Sequence, residues 1–151
     1  MSALPLAELE TSFSIDSSGF RTNNFSEWCD EKHGKEYKAK NGDTLNHRRE
    51  HQWVKCHISS GNLTNVIADV VITEHEGKNT ADEKNFCNLL SGTTGFFNVE
   101  EICADKAYAS RKNYAKADEL NVIPYLLFKK NVSSQSKGCG LWSQMFLKFM
   151  T

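Results

Sequence analysis

The chain predicts an α/β fold, a mixed sheet with helices packed against it, and three observations carry that reading. The first half holds three runs with strand character, at Phe13–Asp16, Gln52–Ser59 and Asn65–Thr73. The second half alternates helical and strand patterns through to the end. Three strands with hairpin-like links followed by helix–strand alternation suit a layered sheet rather than a bundle or a sandwich.

The first run sets Phe13 and Ile15 against Ser12, Ser14 and Asp16, the period-2 pattern of a half-buried strand. Ser17, Ser18 and Gly19 then read as a turn, so the strand is expected to end on Asp16. A polar segment rich in Lys, Asn and His runs on to Glu50, with a short helical turn expected near Phe25–Glu31. Gln52–Ser59 alternates again, and Gly61-Asn62 reads as a hairpin turn. Asn65–Thr73 is nearly continuous in apolar residues, which predicts a central strand buried on both faces. Asp69 interrupts it and is read as a locally satisfied polar residue, with a metal-ligand role as the alternative.

Thr80-Ala81-Asp82-Glu83 has the form of a capping box, with Thr80 as N-cap and Phe86, Leu89 and Leu90 following at helical spacing. Glu101-Ile102-Cys103-Ala104-Asp105 repeats the earlier design, a short strand ending on a carboxylate. Ser110 caps the next helix, in which Tyr114, Ala117 and Leu120 share a face. Val122–Phe128 is a strand that Pro124 assigns to an edge. Trp142, Met145, Phe146 and Phe149 sit at i, i+3, i+4 and i+7, the stripe of an amphipathic helix.

Composition narrows the function classes. The 151 residues suffice for one domain with a core. No apolar run reaches the length of a membrane span, and no secretory leader precedes the first strand, so a cytoplasmic protein is expected. Five cysteines without a C-x-x-C pair argue for reduced thiols rather than a zinc site or disulfide framework. The formal net charge is −1, but its distribution is uneven. Lys32–Lys55 and Leu120–Thr151 each carry a net +4. Such stretches beside acidic residues suit a phosphodiester partner, and equally suit lysines on solvated loops. Asp16 and Asp105, each at an expected strand end, read either as turn and cap residues or as oxygen ligands for a hard cation such as Mg²⁺.

The motifs Ile15-Asp16-Ser17-Ser18-Gly19-Phe20, Trp53-Val54-Lys55-Cys56-His57, Ala104-Asp105-Lys106-Ala107-Tyr108-Ala109-Ser110 and Pro124-Tyr125-Leu126-Leu127-Phe128-Lys129 occur in this order. Together they resemble the catalytic domain of DDE transposases from bacterial and archaeal insertion sequences, from about Ser12 to the end. The resemblance implies a ribonuclease-H-like mixed sheet with flanking helices, in which the first and fourth strands lie side by side. It implies Mg²⁺-dependent hydrolysis at element ends, then attack of the freed 3′-hydroxyl on target DNA. Asp16 would bridge two ions and Asp105 would hold one. Lys35, Lys38, Lys40, Arg48, Arg49, Lys106, Lys129 and Lys130 are the expected DNA-backbone contacts, with Lys55 and His57 as further phosphate-side neighbours. The family adds a third acid, a Glu on a later helix, whereas no Asp or Glu follows Glu119 here. The expectation is therefore a domain at residues 12–151, after a linker remnant at 1–11, that lacks the last helix of the fold and is inactive alone. The alternative is a nonenzymatic remnant that binds DNA, associates with itself or joins a full-length transposase.

Overall fold

The computed structural model describes residues 6–21, 53–74 and 81–150. Five strands form one sheet: β1 (Ser12–Arg21), β2 (Trp53–Gly61), β3 (Ile67–Glu74), β4 (Glu101–Ala104) and β5 (Ile123–Leu126). The helices among the described residues are α1 (Leu6–Leu9), α2 (Asp82–Thr94), α3 (Arg111–Glu119) and α4 (Gly140–Met150). The strand order is β3-β2-β1-β4-β5. β1 pairs antiparallel with β2 and parallel with β4. β2–β3 is antiparallel and β4–β5 parallel. This mixed sheet with flanking helices is the ribonuclease-H-like arrangement, with the first and fourth strands adjacent.

One sheet face is dry. Phe13 and Ile15 point to it from β1 and are buried, as are Ile102 on β4 and Leu126 on β5. Phe86, Leu89 and Leu90 from α2 and Tyr114 and Ala117 from α3 complete this core. Ser59, paired with Ile15, shares the face and accepts a 2.8 Å hydrogen bond from Thr93 of α2, so its buried hydroxyl is satisfied.

Several expectations needed correction. β1 does not stop at Asp16; it continues to Arg21 because β2 pairs with it along its whole length. Local turn propensity at Ser17-Ser18-Gly19 yields to that ladder. β3 is an edge strand, not a central one. Val71 packs on the core while Ile72, 68% exposed, and Val70 face away from it. The continuous apolar run thus covers one dry face and one open face. Helix α2 begins at Asp82, with Ala81 as its N-cap and no side-chain cap bond. The hairpin after β2 is wider than a two-residue turn: Asn65 donates to Gly61 at 3.1 Å and itself takes the left-handed φ of 57°. Thr80 and the expected helical turn at Phe25–Glu31 lie outside the described residues. Ser110 does cap α3, accepting from the Asn113 amide, and Pro124 does lie on an edge strand.

Glu10 is buried at the start of the fold and had no signal in the sequence. Its carboxylate caps the β2–β3 turn, taking the Thr64 amide and hydroxyl, both at 2.7 Å, and the Leu63 amide at 3.2 Å. A Cβ at Gly61 would come within 2.5 Å of that carboxyl group, so the glycine leaves the room Glu10 occupies. Burial alone would raise the Glu10 pKa, but the hydrogen bonds from Thr64, Leu63 and Asn62 together hold it below the ordinary 4.5. A depressed carboxyl contributes stability above its unfolded pKa and loses it as pH falls through the folded one. Glu10→Gln is expected to cost about 1–3 kcal/mol at pH 7, the worth of hydrogen bonds to a charged group. It should also flatten the fall in stability below about pH 4.5, near the unfolded carboxyl value. Urea melts at pH 3.5, 5 and 7 check both; an unchanged pH profile refutes the assignment.

Candidate active site

Parallel strands bind ligands outside their carboxyl ends, and here the ends of β4 and β5 lie beside the point where β1 runs on past its last pair with β4. β4 stops pairing with β1 at Ile15↔Ala104 and with β5 at Ala104↔Leu126. Asp16 and Asp105 are each one residue beyond that last pair, on neighbouring strands. Lys129 follows β5 at the same edge. Asp105, Lys106, Ala107 and Lys129 line an open cleft of about 420 Å³ with Ala81, Asp82 and Glu83 at the start of α2.

Both aspartates are exposed and held by local backbone. Asp16 Oδ1 accepts the Ser17 amide at 2.8 Å. Asp105 Oδ1 accepts the Ala107 amide at 2.6 Å, and the Tyr108 amide bonds the Asp105 carbonyl at 3.2 Å, closing a tight turn. These bonds fix each carboxylate while leaving one oxygen of each without a partner among the described residues. Two hard oxygen donors match Mg²⁺, which takes one or two carboxylates from a protein and completes its shell with water and substrate phosphate. Among the described residues no group of three or more His, Cys, Asp or Glu could hold a metal ion. Among the described residues the oxygen donors placed to fit such an ion are the two carboxylates of Asp16 and Asp105.

Asp69 is not part of it. It lies on β3, two strands from β1, where its Oδ1 accepts the Val70 amide at 2.8 Å and its side chain packs over Gly92 of α2.

Beneath the aspartates lies a buried polar cluster. Ser17 alternates with Asp16 and so points to the opposite, α2-covered face. Its hydroxyl donates to Asp82 Oδ1 at 2.9 Å. Lys55 Nζ meets the same oxygen at 2.7 Å and His57 Nδ1 at 3.3 Å. His57 Nδ1 also lies 3.2 Å from the Tyr108 hydroxyl. Its Nε2 lies 3.3 Å from Asn85 Nδ2. Burial, foremost, lowers the His57 pKa, against the pull of Asp82. A neutral ring protonated on Nδ1 satisfies this geometry: Nδ1–H donates toward Asp82 and Tyr108, and Nε2 accepts from Asn85. Burial likewise raises the Tyr108 pKa, so its hydroxyl keeps its proton.

The cluster revises the expected phosphate neighbours. His57 has no exposed surface and is closed to a phosphate. Lys55 is engaged by Asp82. Lys106 and Lys129 do line the cleft, and Lys130 is exposed next to Lys129. Lys35, Lys38, Lys40, Arg48 and Arg49 lie outside the described residues. Asp82 was read only as a helix-start residue; a contact 65 positions from Ser17 leaves no periodic trace. The one available signal was its place at a helix N-terminus, where the dipole favours a carboxylate.

Four of the five cysteines lie among the described residues, and all four are free thiols. No helix among the described residues is long and apolar enough to cross a membrane.

No curated protein sequence matches the chain significantly. A chain in the cryoEM structure of the simian T-cell lymphotropic virus intasome, in complex with PP2A regulatory subunit B56 gamma, aligns with a TM-score of 0.43 and 12% identity. The alignment covers 91% of this chain and 37% of that one, so this chain spans well under two thirds of its length. The family described as transposase DDE domain matches residues 9–148. With nearly its whole length matched, the chain belongs to the transposase DDE domain family.

Proposed function

We propose that this domain serves DNA transposition by metal-dependent hydrolysis and transfer of phosphodiester bonds at the ends of a bacterial or archaeal insertion sequence, working in the cytoplasm. What supports the reading is that Asp16 and Asp105 each follow directly on the last β1–β4 pair, Ile15↔Ala104, and that Asp105 lines a cleft with Lys106 and Lys129. Asp16 and Asp105 would hold Mg²⁺, which when bound lowers the pKa of an attacking water or hydroxyl and neutralises charge on the phosphoryl oxygens. Lys106 and Lys129 orient the DNA backbone over the pair by contacting phosphates. Lys130 and the basic residues at 35, 38, 40, 48 and 49 extend that contact along element ends and target.

Binding to DNA should be weak, little dependent on sequence and steeply dependent on salt, because each neutralised phosphate releases counterions. Lys106→Ala and Lys129→Ala are each expected to lower affinity and reduce the slope of log K against log salt by about 1. Fluorescence anisotropy on two unrelated duplexes from 25 to 200 mM salt measures this. Binding that ignores salt, or no binding at the lowest salt, overturns the DNA-contact reading.

A second reading is a nonenzymatic one, in which the chain binds DNA or joins a full-length transposase or a second copy of itself. The exposed Val70 and Ile72, on one face of edge strand β3, favour it. Asp16→Asn separates the two readings: it removes metal binding under the first and changes nothing under the second.

A further inference from the structure

We infer that Ser17, Tyr108 and Asp82 form a positioning clasp that sets the placement of Asp16 relative to Asp105, an inference that rests on the metal-seat reading above. The two aspartates share no hydrogen bond with each other among the described residues. What joins their backbones lies on the reverse face of the sheet. Ser17 is the residue after Asp16 and supplies the amide that holds its carboxylate. Tyr108 closes the turn that begins at Asp105. The Ser17 hydroxyl donates to Asp82 Oδ1 at 2.9 Å, His57 Nδ1 lies 3.3 Å from that oxygen, and the Tyr108 hydroxyl lies 3.2 Å from the same Nδ1, so a side-chain chain runs from the Asp16 segment to the Asp105 turn.

Neither end of that link can drift. Asp82, which holds Ser17, is anchored by Lys55 at 2.7 Å. At its other end, the Tyr108 carbonyl accepts from Asn113 Nδ2 at 2.7 Å, and the same amide group bonds the Glu83 carbonyl at 2.8 Å. Asn113 is fully buried, and Tyr108 packs its ring against Phe86. β1, β2, α2, the Asp105 turn and α3 thus converge on one hydroxyl chain. A pair of exposed carboxylates repels itself when no ion is bound. A chain of hydrogen bonds beneath them ties the two segments together, as outer-shell partners do at metal sites.

The test uses the full 151-residue chain and Mn²⁺ alone, followed by the EPR signal of the free ion. Wild type, Asp16→Asn, Ser17→Ala, Ser17→Thr and Tyr108→Phe are compared, with thermal melts of each. Wild type should bind Mn²⁺ through Asp16, and Ser17→Ala and Tyr108→Phe should each weaken binding about tenfold or more, the usual cost of an outer-shell change. Ser17→Thr keeps the hydroxyl and should restore most of the affinity. Hydrogen exchange at the Ala107 and Tyr108 amides should quicken in Ser17→Ala and Tyr108→Phe while the α3 amides stay protected. Wild-type affinity in both variants, or Ser17→Thr no better than Ser17→Ala, overturns the clasp. If Ser17→Ala unfolds, Tyr108→Phe, which keeps the ring, decides alone. A wild-type chain with no Asp16-dependent Mn²⁺ binding overturns the metal seat itself, and the clasp with it.

Discussion

Joining to this chain a C-terminal helix that bears one Glu, taken from a related transposase, is expected to give metal-dependent nicking of DNA that Asp16→Asn then removes. The unmodified chain is expected to give none above background with Mg²⁺ or Mn²⁺. Asp16 and Asp105 stand at the ends of β1 and β4 pairing, and no Asp or Glu follows Glu119. Mg²⁺ takes six ligands in near-octahedral geometry, so a seat with two carboxylates leaves most of the shell to water and substrate phosphate, and a third acid would hold the ion more tightly. Bound metal supplies several kcal/mol of transition-state stabilisation, so losing it through Asp16→Asn should cost roughly a thousandfold in rate. Plasmid relaxation with single-turnover timing reads the effect. Should the unmodified chain nick DNA at a rate that Asp16→Asn abolishes, a carboxylate already present must complete the site. Among the described residues Asp69 is two strands away and Glu101 lies at the opposite end of β4, so the other acids lining the cleft, Glu83 and then Asp82, would be the ones to change next. Asp82 stands at the cleft, and only its contacts to Lys55, Ser17 and His57 argue against a ligand role.

How much of this was legible in the sequence divides along range of interaction. Features set within a few residues were readable: the Ser110 cap, the Pro124 edge strand, the Trp142–Phe149 stripe, and Asp105 directly after a short strand. Features set by distant partners were not. Ser17-Ser18-Gly19 has turn chemistry locally, yet β2 draws it into ten residues of strand. The β3 run is apolar throughout, and period alone does not say which of its faces meets a helix. Glu10 and His57 look like ordinary polar residues until the turn and the strand that bury them are in place. The pairing of the two aspartates lies between these cases. Their matching strand-end contexts were visible, but their adjacency came from the family resemblance, since nothing local to either residue encodes a parallel register 89 positions apart.

Trp142→Ala should produce the largest loss of stability, about 3–5 kcal/mol, the usual cost of truncating a buried tryptophan. Trp142 is 2% exposed and stands at the centre of an aromatic cluster. Its ring meets Phe128 edge-on at 4.8 Å and Tyr114 at 5.3 Å, with the Arg111 guanidinium 4.5 Å from its centroid. Its Nε1–H donates to the Ser133 carbonyl at 2.8 Å, while Arg111 reaches the carbonyls of Ser133 and Gln135. One side chain thus joins α4, the loop before it, β5's exit and α3. Alanine removes the ring contacts, leaves a cavity and strips the Ser133 carbonyl of a donor at once. For a domain with a typical 5–15 kcal/mol in hand, that is a large share. The loss should be unevenly distributed. α4 touches the rest of the fold mainly through this cluster and α3, whereas α2 lies directly on the sheet. Amides of α4 should therefore exchange with solvent much faster in the variant, with those of α2 and β1 protected up to global unfolding. Trp142→Phe keeps most of the ring contacts and loses the Ser133 bond, so it should cost less, near the 1 kcal/mol of a single hydrogen bond plus a small packing term. Urea melts and hydrogen exchange on both variants test the ranking. Equal losses for Phe and Ala, or an α4 as protected as in the wild type, would show that the helix is held by something other than Trp142.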